Sequence, residues 1–522
     1  MKQITRFAIP AENRAVLAEP PLKEWEALAR SNVEAVTAWD FSVGGMCIAE
    51  LRSSAREEAF ACARDYSSGA GILTAQDSVG DTLLIVNGHQ PGISHPGVWI
   101  KDFMLQRVSG NSGFTGLDLV VDTDAAGSVS LDAPCLKPRP HRCSAELVQC
   151  SPDVCFGAVP VPTTGELQSF AREVRVLSAD VGLPHVEHNV DAFLAALAEV
   201  SPHADDLGQA LTGARRALER QSGSDYLELG VSRLARGAVF RRFAAHLCLD
   251  ARAFAECFND QLARYRAISG TRGKGQPFPE LGIEGDATEL PLWALVEGRR
   301  RAVYSRVEPN GSVALVVDGE DRLVISSNVD ATIDLLGGEQ VTLVPRGITL
   351  TLFTRLAIAD LFIHGVGGGR YDQITDGVID AYFGVAAPAY VVASATLHLP
   401  FRDPRQGLDS VAQLERRLDA LRHNPDRFLT DPALADTGSG QELAAEKGRL
   451  VSAIALPGAD RKALGIRIRE INTLLQNLVA PLVEETVGAL DVARAAEQDA
   501  DVLFDRSYAY CLWNADEVIS LI

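Results

Sequence analysis

Along the first part of the chain, apolar positions recur at helical spacing over residues 21–36 and 54–66, and then the pattern changes. Residues 81–88, from Asp81 to Gly88, are apolar, partly β-branched and stopped by Asn-Gly, which predicts a buried strand. Helical spacing returns over residues 98–108, with Pro96 suited to a first helical turn and Ser94 or His95 to its cap. A second strand follows at residues 117–122, completing a strand–helix–strand unit. Far downstream the arrangement repeats. Residues 361–364 read as a strand, 365–369 as a glycine-rich turn, 371–383 as a helix and 389–394 as the return strand. Two such units predict an α/β fold: a Rossmann-like, doubly wound core interrupted by a helical insertion.

The remaining pattern divides the chain further. Residues 1–160 read as the first half of the core and 161–284 as the helical insertion. Residues 285–405 read as a small β segment plus the second half of the core. Beyond these, 406–505 are charged and helical and predict a coiled-coil-like C-terminal hairpin around Pro457-Gly458, with one helix running from Arg461 to about Gln498. Residues 506–522 form a tail, and 431–440 are the loosest stretch.

Charge narrows the function classes. With 49 Lys+Arg against 69 Asp+Glu, the net charge of −20 gives no long-range attraction for nucleic acid or anionic lipid. No apolar run is long enough for a membrane span, and the amino terminus lacks an apolar signal core, so a cytoplasmic protein with small-molecule partners is expected. Nine cysteines without a Cys-x-x-Cys pair predict reduced, mostly buried thiols. Cys135, Cys143, Cys150 and Cys155, with His141 among them, have the ligand types for zinc, but their spacings are wider than the usual two-ligand knuckle and no metal is assigned.

Two loops carry candidate chemistry. In the first, His89, Gln90, Gly92, His95 and Gly97 join a strand to a helix amino end, and Lys101 follows one turn later. Unpaired N–H groups and the helix dipole favour an anion there; glycines permit close backbone approach, and imidazole and ammonium groups donate to oxyanions. The alternative is a tight turn whose histidines cap local carbonyls. In the second loop, His364, Gly367, Gly368 and Gly369 suit a backbone nest, with Tyr371 beside them; the alternative is glycine for close helix–sheet packing. Asp122 and Asp124 end a strand where an open sheet meets its ligand, or else cap backbone. Arg355 and Asp360, in apolar surroundings, read as paired structural charges.

Together these motifs resemble the bacillithiol-synthase family, the cysteine-adding enzymes of bacillithiol biosynthesis. The family's Gly-Gln-Gln-x-Gly loop, Gly-Pro and early helical lysine are matched by Gly88-His89-Gln90-Pro91-Gly92, His95-Pro96-Gly97 and Lys101, with His89 standing in place of a glutamine. Its acidic strand end resembles Asp122-Thr123-Asp124. Its Gly-Gly…Tyr loop, Phe-Gly-x-x-x-Pro turn and Ser-x-Thr-Leu are similar to Gly367-Gly368…Tyr371, Phe383-Gly384…Pro388 and Ser394-Ala395-Thr396-Leu397. The resemblance implies a ligase that joins an amino acid, cysteine in the family, to a small carboxylate- or sugar-containing acceptor. His89, His95 and Lys101 would then be catalytic, with ATP or ADP with Mg²⁺ a candidate cofactor; the polar late helices themselves read as either a solvated face or a homodimer surface. A nucleotidyltransferase-like enzyme and a non-catalytic metabolite- or nucleotide-binding module are the rival expectations.

Overall fold

A computed structural model describes residues 4–72, 82–220, 222–271, 273, 278–326, 328–338, 340–434 and 438–522. Asp81, the expected start of the first strand, and residues 435–437 of the loose stretch lie outside the described residues. The chain forms two compact units.

The larger unit comprises residues 1–136, 142–398 and 506–522. Its main sheet has six strands: β1 (Val16–Glu19), β2 (Leu83–His89), β3 (Phe114–Val120), β4 (Leu227–Gly230), β5 (Leu361–His364) and β6 (Val391–Ala395). Their order is β1-β6-β5-β2-β3-β4. All neighbours are parallel except β1, which runs antiparallel along β6. From β2 the chain steps outward through β3 to β4, and from β5 it steps the other way to β6, so the order reverses between β2 and β5. Every residue of β3 is buried, as expected of a parallel strand covered on both faces.

The same unit includes helices α1 (Pro96–Ser109), α2 (Leu207–Arg220) and α3 (Val366–Phe383). As the pattern predicts, His95 caps α1 by accepting from Gly97 N at 3.1 Å, and Pro96 opens it, where a missing N–H costs nothing. A second, antiparallel sheet is built from Ala287–Val296, Arg299–Val307, Val313–Val317, Glu320–Ile325 and Thr342–Pro345.

Several expectations change here. Residues 161–284 are not a separate insertion: they supply edge strand β4, and Phe240, Phe243, Phe254 and Leu262 enter the same core as β2 and β3. The tail also belongs to this unit, where Tyr510 lies against Trp99 with ring centroids 5.0 Å apart. Not all thiols are reduced. Cys135 and Cys143 form a disulfide across the hairpin of Ser128–Cys135 and His141–Gln149, whose pairing brings their Cα atoms to 5.9 Å. Cys150 and Cys155 are free.

The smaller unit comprises residues 137–141 and 399–505. It holds α4 (Val411–His423), α5 (Gly438–Ile454), α6 (Arg461–Leu478) and α7 (Ala480–Leu503) around Leu421, Leu429, Ile471, Leu475 and Leu482. Pro457-Gly458 does separate two helices, and Gly458 has φ +81°, which a glycine adopts without strain. The single helix expected after it is two, because Pro481 lacks an amide proton and is tolerated only in a first turn. Among the described residues no helix is long and apolar enough to cross a membrane.

Asp360 fastens the middle of the main sheet. Its Oδ2 accepts from Leu84 N at 2.7 Å, and Arg52 and Arg56 both pair with it at 2.9 Å. Asp360→Ala would strand two guanidinium groups and a strand amide, so it is expected to cost about 3–5 kcal/mol in urea unfolding. Glu256→Ala, which breaks an exposed pair with Arg252, should change stability by no more than about 0.5 kcal/mol.

Candidate functional site

At the carboxyl ends of β2 and β5, where the strand order reverses, a cavity of about 320 Å³ opens. Ligands of open α/β sheets bind at such reversal points. His89 and Gln90 from the end of β2 share it with His364, Gly368, Tyr371 and Asp372 from β5 and α3; Asp124 closes one side. The two candidate loops therefore do meet. The rest of the wall is apolar, with Phe278, Ile348, Leu350 and Phe362.

His364 is the best-positioned reactive group. Its Nε2 lies 2.9 Å from Asp372 Oδ2, and Asp372 also takes Arg355 Nη1 at 2.6 Å and Thr351 Oγ1 at 2.7 Å. Burial alone would raise the Asp372 carboxyl, but Arg355 first and His364 next outweigh it and hold it below the usual carboxylate range. An ionised carboxylate only accepts, so His364 Nε2 carries a proton and donates it to Asp372. A Cβ at position 368 would stand 2.8 Å from Nδ1, so only glycine lets the helix pass this close to the ring. Arg355 is thus a structural charge as expected, paired with Asp372 and, at 2.6 Å, with Asp376 rather than with Asp360.

His89 presents a different imidazole. It is half-buried, and burial, followed by the charge of Lys101, pushes its pKa down to about 3, so it is neutral at physiological pH. Nδ1–H donates to Gln90 O at 2.9 Å, leaving Nε2 as an acceptor. Gln90 Nε2 donates to Asp124, which also takes Arg300 and, at 2.8 Å, Ala125 N. Asp124 therefore orients Gln90 and has little capacity left for a ligand.

Other expectations are corrected. Lys101 does not reach the cavity: it is 1% exposed and its ammonium binds Asn87 Oδ1 at 2.8 Å and Gly88 O at 3.0 Å, holding the end of β2 from beneath. His95 is spent on the cap of α1. Gly97 serves close packing, because a Cβ there would collide with Ala395 O and Arg506, which also cover the amino end of α1. Gly92 faces a separate closed space together with Asp102, Asp118 and Arg215. The glycine-rich turn is no nest; Gly367, Gly368 and Gly369 form the first turn of α3, capped by Gly365. Gly369 is glycine because Val392 leaves no room for a Cβ, whereas Gly367 has open space.

Asp122 faces away from this cavity into a second one of about 480 Å³, where Asp206, Ser232, Arg233 and Arg236 also lie. The turn after β3 separates the two, with Val121 and Asp124 on one side and Asp122 and Thr123 on the other. Burial raises the Asp122 carboxyl to about 6, against hydrogen bonds from Ser232 Oγ and, at 2.8 Å, Ser232 N. The residues around the first cavity do not fit ATP with Mg²⁺. No lysine or arginine is among its described lining residues, and Asp124 is already satisfied.

No protein-family model and no curated protein matches this chain.

Two outcomes are expected. Lys101→Ala should lower the thermal midpoint, because Asn87 Oδ1 and Gly88 O lose their buried partner. Asp122 binds more protons folded than unfolded between pH 3.8 and about 6, so its contribution falls as pH rises through that window, by about 3 kcal/mol in all. Asp122→Asn should flatten the pH dependence of stability there; an unchanged pH profile would contradict the assignment.

Proposed function

We propose that the chain is a ligase-type enzyme that joins an amino acid to a small acceptor, with the cavity between β2 and β5 as the amino-acid site. The observation that carries this reading is the His364–Asp372–Arg355 array opening on a small, largely apolar cavity beside a neutral His89. A cavity of about 320 Å³ lies at the lower end of the range for ligand sites and suits a guest of amino-acid size. Joining an amino acid through its amine or thiol to an acceptor that carries its own leaving group requires that nucleophile to lose a proton as the leaving group departs. His364 Nδ1 accepts that proton, Asp372 stabilises the resulting imidazolium, and Arg355 keeps Asp372 ionised. The amino end of α3, which borders the cavity at Gly368, receives the carboxylate of the amino acid. His89 Nε2 and Gln90 Oε1 accept from its polar hydrogens, and Tyr371 and Phe278 flank its side chain.

This reading keeps the chemistry of the bacillithiol-synthase resemblance, on a Rossmann-like sheet, but moves the catalytic burden from His95 and Lys101 to His364. A nucleotidyltransferase reading has less support, because the first cavity lacks cations for a triphosphate. For the late helices we keep a homodimer as the proposal, since α5 and α6 expose Val451 and Ile466; a sedimentation mass of one chain would reject it.

The test is a calorimetric titration with L-cysteine, L-serine and L-alanine on the wild type and on His364→Gln. At least one amino acid should bind the wild type, and His364→Gln should weaken that binding by about ten-fold or more while its thermal midpoint stays within a few degrees. Binding of none of the three, or unchanged affinity in the variant, would refute the assignment.

A further inference from the structure

Beneath the candidate site lies a buried ionic cluster that the proposed chemistry does not use. Lys101 and Asp102 come from α1, Asp118 from β3, Arg215, Arg216 and Glu219 from α2, and Tyr226 and Glu228 from β4 and its approach. His89 and Tyr510 face it across a small closed cavity. Four carboxylates thus meet three cations, and the cluster carries one negative charge too many unless a carboxyl keeps its proton. A lone buried charge of that kind is costly.

The hydrogen bonds show which carboxyls are fully served. Asp102 receives Asn87 Nδ2 at 2.6 Å and Arg215. Glu219 receives Trp99 Nε1 at 2.7 Å on one oxygen, and Arg216 at 2.9 Å and Tyr226 at 2.6 Å on the other. Asp118 and Glu228 differ. They stand directly opposite each other in the β3–β4 register, and both bind the same nitrogen, Arg215 Nη2, at 3.1 and 2.7 Å. Each then has one buried oxygen, Asp118 Oδ1 and Glu228 Oε2, without any partner. Two neighbouring orphan acceptors are repulsive if both carboxyls are ionised and complementary if one is an acid.

We infer that Asp118 and Glu228 share one proton, Glu228 Oε2–H donating to Asp118 Oδ1, and that this pair is the proton store of the candidate site through the small space bordered by His89. Asp118 is 3% exposed and lines the closed cavity of about 20 Å³ whose wall includes His89 and Gln90, which also border the amino-acid cavity. That space holds about one water molecule. A proton leaving the pair passes through this water to the candidate site; the pair becomes two carboxylates and a basic group of the site takes the proton, so charge is conserved. His89, its pKa held at about 3 by burial and Lys101, stays neutral and only accepts a hydrogen bond from the water. Burial, with Asp118 adding to it and Arg215 opposing, raises the Glu228 carboxyl well above its ordinary value. The service to the site rests on the proposed amino-acid function, whereas the sharing of the proton does not.

The test is infrared spectroscopy of the full chain without ligand, from pH 5 to 9. Wild type should show a carboxylic-acid C=O band at pH 7 that Glu228→Gln abolishes. Asp118→Asn, which removes the excess negative charge, should abolish it too, and Asp205→Asn should leave it. Because the folded Glu228 binds a proton that the unfolded one loses near pH 4.5, wild-type stability should fall as pH rises through the folded pKa. Glu228→Gln should therefore match the wild-type thermal midpoint near pH 5 and exceed it increasingly as pH rises to 9. Absence of the acid band, or a midpoint several degrees lower in Glu228→Gln at every pH, would overturn the shared proton. His89→Leu should slow deuteration of the acid at least ten-fold in D₂O, and an unchanged rate would overturn the route to the site. A chain that binds no amino acid would still show the band, so the two readings fail separately.

Discussion

The parallel pairing of β2 with β5 holds together segments separated by 276 residues at the Leu84–Asp360 contact, and the rest of the site depends on it. Asp360 does this from both sides of its own backbone. Its amide donates to Leu84 O at 2.8 Å, its carboxylate accepts from Leu84 N, and Arg52 and Arg56 neutralise it. Closing so long a loop costs only slowly more than closing a short one, so a few well-made buried bonds suffice to fix the register. Once β2 and β5 are side by side, His89 and His364 emerge at the same sheet edge, and the reversal of strand order leaves a crevice between the connections that follow them.

The charges of this region act mostly at second hand. Lys101 ties down the end of β2 and depresses the basicity of His89; Arg355 keeps Asp372 ionised so that His364 Nε2 has a fixed acceptor. Neither belongs to the set of residues lining the cavity. The cavity wall itself is carried by two imidazoles, an amide, two carboxylates already engaged by arginines and mostly apolar side chains. Such a lining favours proton transfer at a small guest over the binding of a polyanion, because a low-polarity wall strengthens each hydrogen bond while offering no counter-charge.

The local elements were legible in the sequence wherever one physical rule governed them. The cap of α1 by His95, the opening Pro96 and the strands at residues 83–89 and 361–364 follow from capping and apolar runs. That His89 and His364 would meet also follows from two strand–helix–strand units sharing a sheet. What failed was side-chain direction. Lys101 lies one turn into a helix whose first turn looked open to ligand, but the space there is filled by Ala395 and Arg506, from remote parts of the chain. The glycines after His364 permit close packing against Val392 and the His364 ring rather than forming a nest. The Asp372–Arg355 support and the Asp118–Glu228 pair were hidden for the same reason: their partners converge only through tertiary contacts and strand register.

Ring nitrogen-15 NMR of the histidines during titration with L-cysteine tests the central claim most directly, since it reads His89 and His364 separately in one sample. The account predicts Nε2–H on His364 and Nδ1–H on His89 in the free protein, with both rings shifting at a single saturating cysteine concentration and His364 becoming doubly protonated. If saturation left either ring unmoved, or if free His364 carried its proton on Nδ1, the two segments would not form one amino-acid site with His364 as its base.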